Sequence, residues 1–178
     1  MAGFRELYEG HFMFVWRSLR RLGVAERDCS DVAQEVFVVV HRRLSTLRQD
    51  VKPSTWMYGI CVRAASDYRR RAANRYEVLD EAAVDSEGSR SPSASSVLAG
   101  REQVNELERI LNAMPPEQRE VFTAFELEGM SCPEIAISLE VPLGTVYSRL
   151  RLAREQIEKA AMRLQATSAF ALRGLAHV

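Results

Sequence analysis

The chain has 178 residues, of which 47% are apolar, and its 24 basic side chains balance its 24 acidic ones. This length allows one ordinary domain or two small ones, and the apolar content excludes a wholly disordered chain. No apolar run approaches the roughly 20 residues that span a bilayer, and Arg5 and Glu6 interrupt the region where a signal peptide needs its apolar core. We therefore expect no membrane insertion.

The three cysteines, Cys29, Cys61 and Cys132, lie far apart and form no CxxC pair. This spacing disfavours a disulfide scaffold or a zinc ribbon and predicts a reducing, cytoplasmic environment. We expect no metal ion and no cofactor.

The net charge of zero is a sum of unequal parts. Residues 1–76 hold 14 basic and 8 acidic side chains, residues 77–108 hold 2 and 8, and residues 109–178 hold 8 of each. Nine of the basic residues fall between positions 42 and 75. A solvated arginine-rich helix would account for this block, but such a dense run of one sign is more typical of a surface that meets a polyanion.

The first two elements are predicted to be helices. Apolar residues recur at spacings of three and four over residues 4–19, and Gly23 supplies a stop. A second helix is expected to begin near Ser30 or Asp31, with Ser30 as its N-cap, and to run to Leu44.

The next elements divide the chain. Residues 45–53 are predicted to form a loop that ends at Pro53, after which Ser54 or Thr55 can cap a third helix. The stretch 80–100 is rich in Ser, Ala, Gly and acidic residues without a sustained apolar period, which is typical of a flexible acidic linker. No strand pattern is present, so we predict an all-α protein of two small helical domains joined by that linker.

The second domain contains a helix-turn-helix pattern. Pro115 and Pro116 open a helix that Gly129 stops, and Ser131 with Glu134 has the spacing of a capping box. Pro142 then turns the chain, and a further helix is predicted to begin with Thr145 as its cap. The exposed face of that helix carries side chains suited to the major groove of DNA: Tyr147, Ser148, Arg149, Arg151, Leu152 and Arg154.

Three segments together resemble bacterial sigma factors of the Sigma-70 family, in the extracytoplasmic-function (ECF) group. They are the run DVAQEVF at 31–37, the run TWMY at 55–58 with the helix down to position 71, and the segment from 114 to 154. The resemblance implies a region 2 domain over 1–76, an acidic linker over 77–104, a region 4 domain over 105–165 and a tail of unknown role over 166–178.

The resemblance also implies roles for individual residues. Core RNA polymerase would be contacted by Asp31, Gln34, Glu35 and Phe37. The −10 promoter element would be bound by Arg48, Lys52, Trp56, Tyr58, Arg63, Arg69, Arg70 and Arg71, with residues 45–53 forming a pocket for a flipped base. The −35 element would be bound by Thr145, Tyr147, Ser148, Arg149, Arg151, Leu152 and Arg154.

The implied function is promoter-specific transcription initiation, with core RNA polymerase, promoter DNA and an anti-sigma factor as partners. Trp56 could equally be a core residue, and the linker could be either a soluble tether or a segment that follows the polymerase cleft. Glu140 stands where the family usually has Gly, which costs up to ~1 kcal/mol if the turn is left-handed.

Two other functions fit part of the sequence. A helix-turn-helix regulator that does not bind core polymerase would account for residues 109–165 but not for the run at 31–37, and a sigma-mimicking interaction protein would not need base-reading arginines. An enzyme is disfavoured, because His11, His41 and His177 are isolated and no nucleophile elbow or phosphate-binding Gly loop is present.

Overall fold

A computed structural model describes the backbone of residues 3–80 and 106–175, and the side chains of residues 3–74 and 106–164. The regular structure of these residues is helical, without a strand, which confirms the predicted fold class. The predicted linker residues 81–104 lie outside the described residues.

Three helices form the N-terminal half: α1 (Phe4–Arg21), α2 (Cys29–Arg43) and α3 (Pro53–Asp80). Gly23 has a φ of 96°, and this left-handed conformation ends the first helical segment as predicted. Two predicted caps are wrong. Helix α2 begins at Cys29, because a 3-10 turn at Glu26–Asp28 leads into it, and α3 begins at Pro53, whose ring presets the backbone of a first helical turn.

The C-terminal half contains residues 106–113 (α4), α5 (Pro116–Phe122), α6 (Cys132–Leu139) and α7 (Leu143–Leu175). A π-helical turn at Thr123–Leu127 extends α5 towards Gly129, whose φ of 67° ends the segment. Thr145 is not the cap of α7, because the carbonyl of Pro142 already accepts the N–H groups of Thr145 and Val146.

Helices α3 and α7 are longer than the sequence pattern indicated. Helix α3 includes residues 77–80, which were assigned to the linker, and α7 includes residues 166–175 of the predicted tail. Residues 176–178 lie outside the described part of the chain.

One apolar core extends through both halves of the molecule. Val15, Val36 and Met57 bury their side chains in the N-terminal half, and Val121 and Val146 bury theirs in the C-terminal half. Helix α3 packs directly on α6, so the two halves share an interface. The helix-turn-helix therefore lies against the helix that carries most of the predicted −10 contacts.

Candidate nucleic-acid interface

The loop between α2 and α3 lines a cavity of about 660 Å³. Leu47 and Val51 give the lining an apolar part, and Arg42 and Arg48 give it two cations. Such a cavity combines an apolar surface for a planar ring with positive charge for a phosphate. It lies where the sequence predicted the pocket for a flipped base.

Three of the predicted −10 cations pair with carboxylates of their own half. These exposed pairs join Arg48 to Asp50, Arg70 to Asp67, and Arg71 to Glu35. The bonds are about 2.7–2.9 Å long and open to solvent, so each adds little to folding stability. DNA phosphates can therefore replace these carboxylates at low cost.

The other three predicted −10 cations pair with carboxylates of the C-terminal half. Lys52 Nζ lies 2.8 Å from Glu134 Oε1, and Arg63 pairs with Glu140. Arg69 donates to the carbonyl oxygen of Leu22 at 2.7 Å and lies 3.4 Å from Glu120 Oε1. The two halves thus meet through the residues that were expected to hold DNA.

The two predicted stacking residues differ in exposure. Trp56 is half-buried beside the core, whereas Tyr58 is fully buried. The hydroxyl of Tyr58 donates to the carbonyl oxygen of Glu120 at 2.7 Å, and burial raises the pKa of Tyr58 well above its usual value. In this arrangement the C-terminal half covers Tyr58, and its contact with DNA stays a prediction.

The predicted polymerase-binding residues form one exposed face with one exception. Asp31, Gln34 and Glu35 point to solvent on α2. Phe37 is only 3% exposed and packs against the rings of Phe4, Tyr8 and Phe12. In this structure the ring of Phe37 supports the exposed face from below, and its contact with core polymerase stays a prediction.

The helix-turn-helix begins with the predicted capping box. The N–H of Ser131 donates to Glu134 Oε2 at 2.8 Å, and the N–H of Glu134 donates to Ser131 Oγ at 3.4 Å. Hydrogen bonds from Lys52 and from Ser131 lower the pKa of Glu134 to about 2. The same carboxylate therefore caps α6 and joins it to the N-terminal half.

The turn after α6 is left-handed at Glu140, the position where the family usually has Gly. Glu140 has φ 56° and ψ 42°, and its N–H donates to the carbonyl oxygens of Ala136 and Ile137. This conformation is unfavourable for a residue with a Cβ. Helices α6 and α7 pack against each other across this turn.

The predicted −35 residues lie along the first four turns of α7. Tyr147, Ser148, Arg151, Leu152 and Arg154 are exposed, whereas Thr145 and Arg149 are half-buried. Val146, Leu150 and Ala153 face the core from the opposite side. The helix therefore presents one polar and basic face to solvent, as a recognition helix requires.

Arg154 is held in place from two sides. Its guanidinium lies 2.7 Å from Glu126 Oε1 and 5.2 Å from the centre of the Phe125 ring. Ser148 Oγ donates to the Thr145 carbonyl at 3.0 Å. These contacts orient the side chains without burying them, so they remain available to DNA.

Sequence reasoning missed the residues that join the two halves. Arg119 is 5% exposed and donates to the carbonyl oxygens of Leu22, Asn112 and Met114, and Ser138 Oγ donates to the Thr55 carbonyl. Neither residue forms part of a local motif for such a contact. Their partners in the other half, Leu22 and Thr55, lie 97 and 83 positions away in the chain, so no short-range pattern could have indicated these contacts.

A basic helical unit with a cavity beside its α2–α3 loop, followed by a helix-turn-helix, defines a two-part DNA-binding protein of transcription. The chain matches the family Sigma-70 region 2 over residues 7–75 and the family Sigma-70, region 4 over residues 105–157. It is 34% identical over 142 residues to the ECF RNA polymerase sigma-E factor of Escherichia coli K12, covering 76% of this chain and 74% of that protein. A second relative, the ECF RNA polymerase sigma factor SigE of Mycolicibacterium smegmatis, is 32% identical over 161 residues, covering 88% of this chain and 61% of that protein.

Two solved structures have the same fold. One is CnrH in complex with the cytosolic domain of CnrY, with a TM-score of 0.65 and 24% identity over 92% of this chain and 88% of that one. The other is the sigma factor RpoE of Bartonella quintana in complex with the anti-sigma factor NepR, with a TM-score of 0.66 and 16% identity over 87% of this chain and 96% of that one.

The chain belongs to the ECF sigma factors of the Sigma-70 family. Its function is promoter recognition in transcription initiation. Sigma factors act without enzymatic chemistry of their own. In the part of the chain that is described, no helix is both long and apolar enough to cross a membrane.

Proposed function

We propose that the N-terminal half docks on core RNA polymerase through Asp31, Gln34 and Glu35 and captures the −10 strand. The C-terminal half reads the −35 duplex with the exposed face of α7. In this proposal residues 1–76 and 105–165 are the two working domains, and residues 77–104 are the tether between them. The chain supplies specificity, whereas the polymerase supplies the phosphodiester chemistry.

The cavity lined by the loop after α2 is the observation that carries this proposal. A helix-turn-helix regulator has no need for such a cavity in a second domain, but a protein that holds an opened DNA strand does. Extracting a base from its stack costs a few kcal/mol, and a preformed pocket offsets part of this cost. Arg48 lines the pocket and can meet the phosphate of the extracted nucleotide.

The two relatives of known structure are bound to other proteins, NepR being named as an anti-sigma factor. We extend this to the chain and propose an anti-sigma partner of its own.

We also propose that the chain lies in the cytoplasm. Support for this comes from Cys29, Cys61 and Cys132, which are all buried free thiols, and burial raises the pKa of Cys29 to about 11.

Run-off transcription with core polymerase over a promoter library tests the proposal, with Ser45→Trp as the central variant. Ser45 lines the cavity, so an indole placed there fills the space meant for a base. We expect transcripts from the wild-type holoenzyme and loss of open-complex formation in Ser45→Trp, with core binding unchanged.

Met13→Trp is the matched control, because Met13 is 57% exposed on α1 and does not line the cavity. It should transcribe like the wild type. Equal transcription by Ser45→Trp would show that the cavity holds no base, and absence of core binding by the wild type would contradict the proposal as a whole.

A further inference from the structure

The π-helical turn at the end of α5 packs against the helix that carries the predicted −35 residues. The turn covers Thr123–Leu127, and the N–H of Glu128 donates to the carbonyl oxygen of Thr123 at 3.0 Å, five residues back in the chain. Such turns are rare and occur mainly as single insertions in α-helices, frequently at functional sites. The side chains that this turn presents to α7 are therefore candidates for a functional role.

Two consecutive side chains of the turn contact the guanidinium group of Arg154. Arg154 Nε donates to Glu126 Oε1 at 2.8 Å, Arg154 Nη2 lies 2.7 Å from the same oxygen, and the guanidinium carbon lies 5.2 Å from the centre of the Phe125 ring. In a regular α-helix, neighbours in sequence do not face the same partner. The π-helical turn thus offers an anion and an aromatic face to one cation.

These contacts restrict a long side chain before any DNA is bound. An arginine loses much rotamer freedom when it is held in one geometry, and this loss normally opposes binding. Here the free chain has already ordered the side chain. Glu126 takes the edge of the guanidinium with Nε and Nη2, and no bond described for Arg154 uses Nη1. The second edge is therefore left for a phosphate.

Arg151 provides a contrast on the same face of α7. Its guanidinium pairs with Glu155, four residues further along the same helix, and 65% of the Arg151 side chain is exposed against 48% of the Arg154 side chain. An exposed pair within one helix holds its side chains only weakly. Of these two arginines, only Arg154 is fixed relative to a second helical element.

We infer that Glu126 is a positioning residue for the reading of the −35 duplex. Together with Phe125 it holds Arg154 in the geometry for one DNA phosphate, and this contact sets the register of α7 in the major groove. Phosphate contacts fix the register and orientation of a protein on a duplex, and base contacts then read the sequence. The inference rests on the proposed −35 role of α7 and adds to it two residues from another helical element.

The charge of Glu126 acts on DNA in the opposite direction. The carboxylate is 34% exposed beside the phosphate site, so it repels every duplex alike. The positioning of Arg154 favours only a duplex whose bases fit α7, because register matters only where bases are read. Loss of Glu126 should therefore strengthen binding to unrelated duplexes and weaken binding to the −35 duplex. A purely structural residue would weaken both.

Glu126→Ala and Glu126→Gln remove the contact in two steps. Alanine removes the acceptor altogether, whereas glutamine keeps a carbonyl oxygen at the same distance from the backbone and loses only the charge. Glu158→Gln is the matched control. Glu158 is exposed on α7 one turn beyond Arg154, and Arg154 pairs with Glu126 rather than with it. The control therefore removes the same charge and leaves Arg154 positioned.

The test compares the affinities of the full-length chain for two duplexes by fluorescence anisotropy. One duplex is selected from a random pool by the wild-type chain, and the other is its shuffled sequence. Glu126→Ala should lower the ratio of the two affinities about tenfold and Glu126→Gln about threefold, with the shuffled duplex bound more tightly in both. Glu158→Gln should raise both affinities by the same factor and leave the ratio unchanged.

A double-mutant cycle tests whether Glu126 acts through Arg154. In a chain that already carries Arg154→Ala, the further change Glu126→Ala has no guanidinium to position, so the affinity ratio should not fall again. Phe125→Leu keeps an apolar side chain but removes the aromatic face. It should lower the ratio in the same direction as Glu126→Ala and by a smaller factor.

Three results would each overturn the inference. They are an affinity ratio that Glu126→Ala leaves unchanged, a ratio that Glu158→Gln lowers as much as Glu126→Gln does, and a further fall of the ratio when Glu126→Ala is added to Arg154→Ala. Failure of the proposed function is distinguishable from these. The wild-type chain would then enrich no sequence from the random pool, and the inference would fall with the −35 role of α7.

Discussion

Arg119 of α5 donates a hydrogen bond to the carbonyl oxygen of Leu22, the residue that follows α1, over a distance of 3.2 Å. The guanidinium is almost fully buried, pairs with no carboxylate in the described part of the chain, and also bonds the carbonyl oxygens of Asn112 and Met114. Burial lowers the pKa of Arg119. A single buried cation thus satisfies backbone oxygens from both halves of the molecule.

Replacing Arg119 by methionine should lower the free energy of unfolding by about 2–4 kcal/mol, because the buried carbonyl oxygens lose a charged donor. Urea unfolding followed by circular dichroism measures the change. Arg109→Met is the matched control on the neighbouring helix, since Arg109 is exposed and its change should be within about 0.5 kcal/mol of zero. If both substitutions changed the free energy of unfolding equally, the buried hydrogen bonds of Arg119 would contribute no stability of their own.

Glu134→Gln should have a pH-dependent effect on stability. The pKa of Glu134 is lowered to about 2, from an ordinary value of 4.5, by hydrogen bonds from Lys52 and Ser131. A carboxyl group with a lowered pKa stabilises the fold above its unfolded pKa, and this contribution is lost as the pH falls from about 4.5 towards about 2. The free energies of unfolding of the wild type and the variant in urea should therefore differ most at about pH 6–7 and converge only near about pH 2.

The same measurement on Glu6→Gln provides the comparison for this pH series. Glu6 accepts from the N–H of Gly3 in the corresponding cap of α1, but it makes no contact with the other half that the structure describes. A stability difference for Glu134→Gln that does not change with pH would rule out the charge as its cause.

Arg154→Ala should weaken binding to −35 duplex DNA and reduce the slope of log affinity against log salt by about 1, because one phosphate contact is lost. Fluorescence anisotropy at several salt concentrations measures both effects. The control is Lys159→Ala, because Lys159 lies on the same helix outside the predicted recognition face. This substitution should leave the slope unchanged. Identical slopes for Arg154→Ala and the wild type would remove Arg154 from the phosphate contacts.

Asp31→Ala combined with Gln34→Ala should reduce affinity for core polymerase by about tenfold, because both side chains are exposed on α2, where the proposed contact with polymerase lies. Competition for core polymerase against a labelled wild-type chain measures this. Binding to −35 duplex DNA by the same protein should be unaffected. Glu9→Ala, an exposed change on α1, is the control for a general effect of removing a surface carboxylate.

Much of the local structure could be predicted from the sequence. The stops at Gly23 and Gly129, the capping box of Ser131 and Glu134, and the loop before Pro53 depend on conformational preferences that act within a few residues. The exposed face of α7 follows from the helical period in the same way. The errors at the starts of α2, α3 and α7 are of one to three residues, where several residues could each serve as a cap.

The burial of Phe37 and Tyr58 could not be predicted from the local sequence. Both belong to segments that resemble binding segments of the family, and both are buried. A pattern indicates that a side chain lies on a given face of its helix, but it does not indicate what else packs on that face. Phe37 lies under three aromatic rings of α1, and Tyr58 lies under α5.

The sequence by itself determined the class of fold, the helix-turn-helix and the family. Only the tertiary structure decided that the two halves pack against each other. It also decided that Glu120, Glu134 and Glu140 form ion pairs with basic side chains that were expected to bind DNA. The physical reason lies in the range of the interactions. Helix periods, caps and turns are set by neighbours in the chain, whereas these pairs join residues 51 to 82 positions apart, whose meeting depends on how all the helices pack.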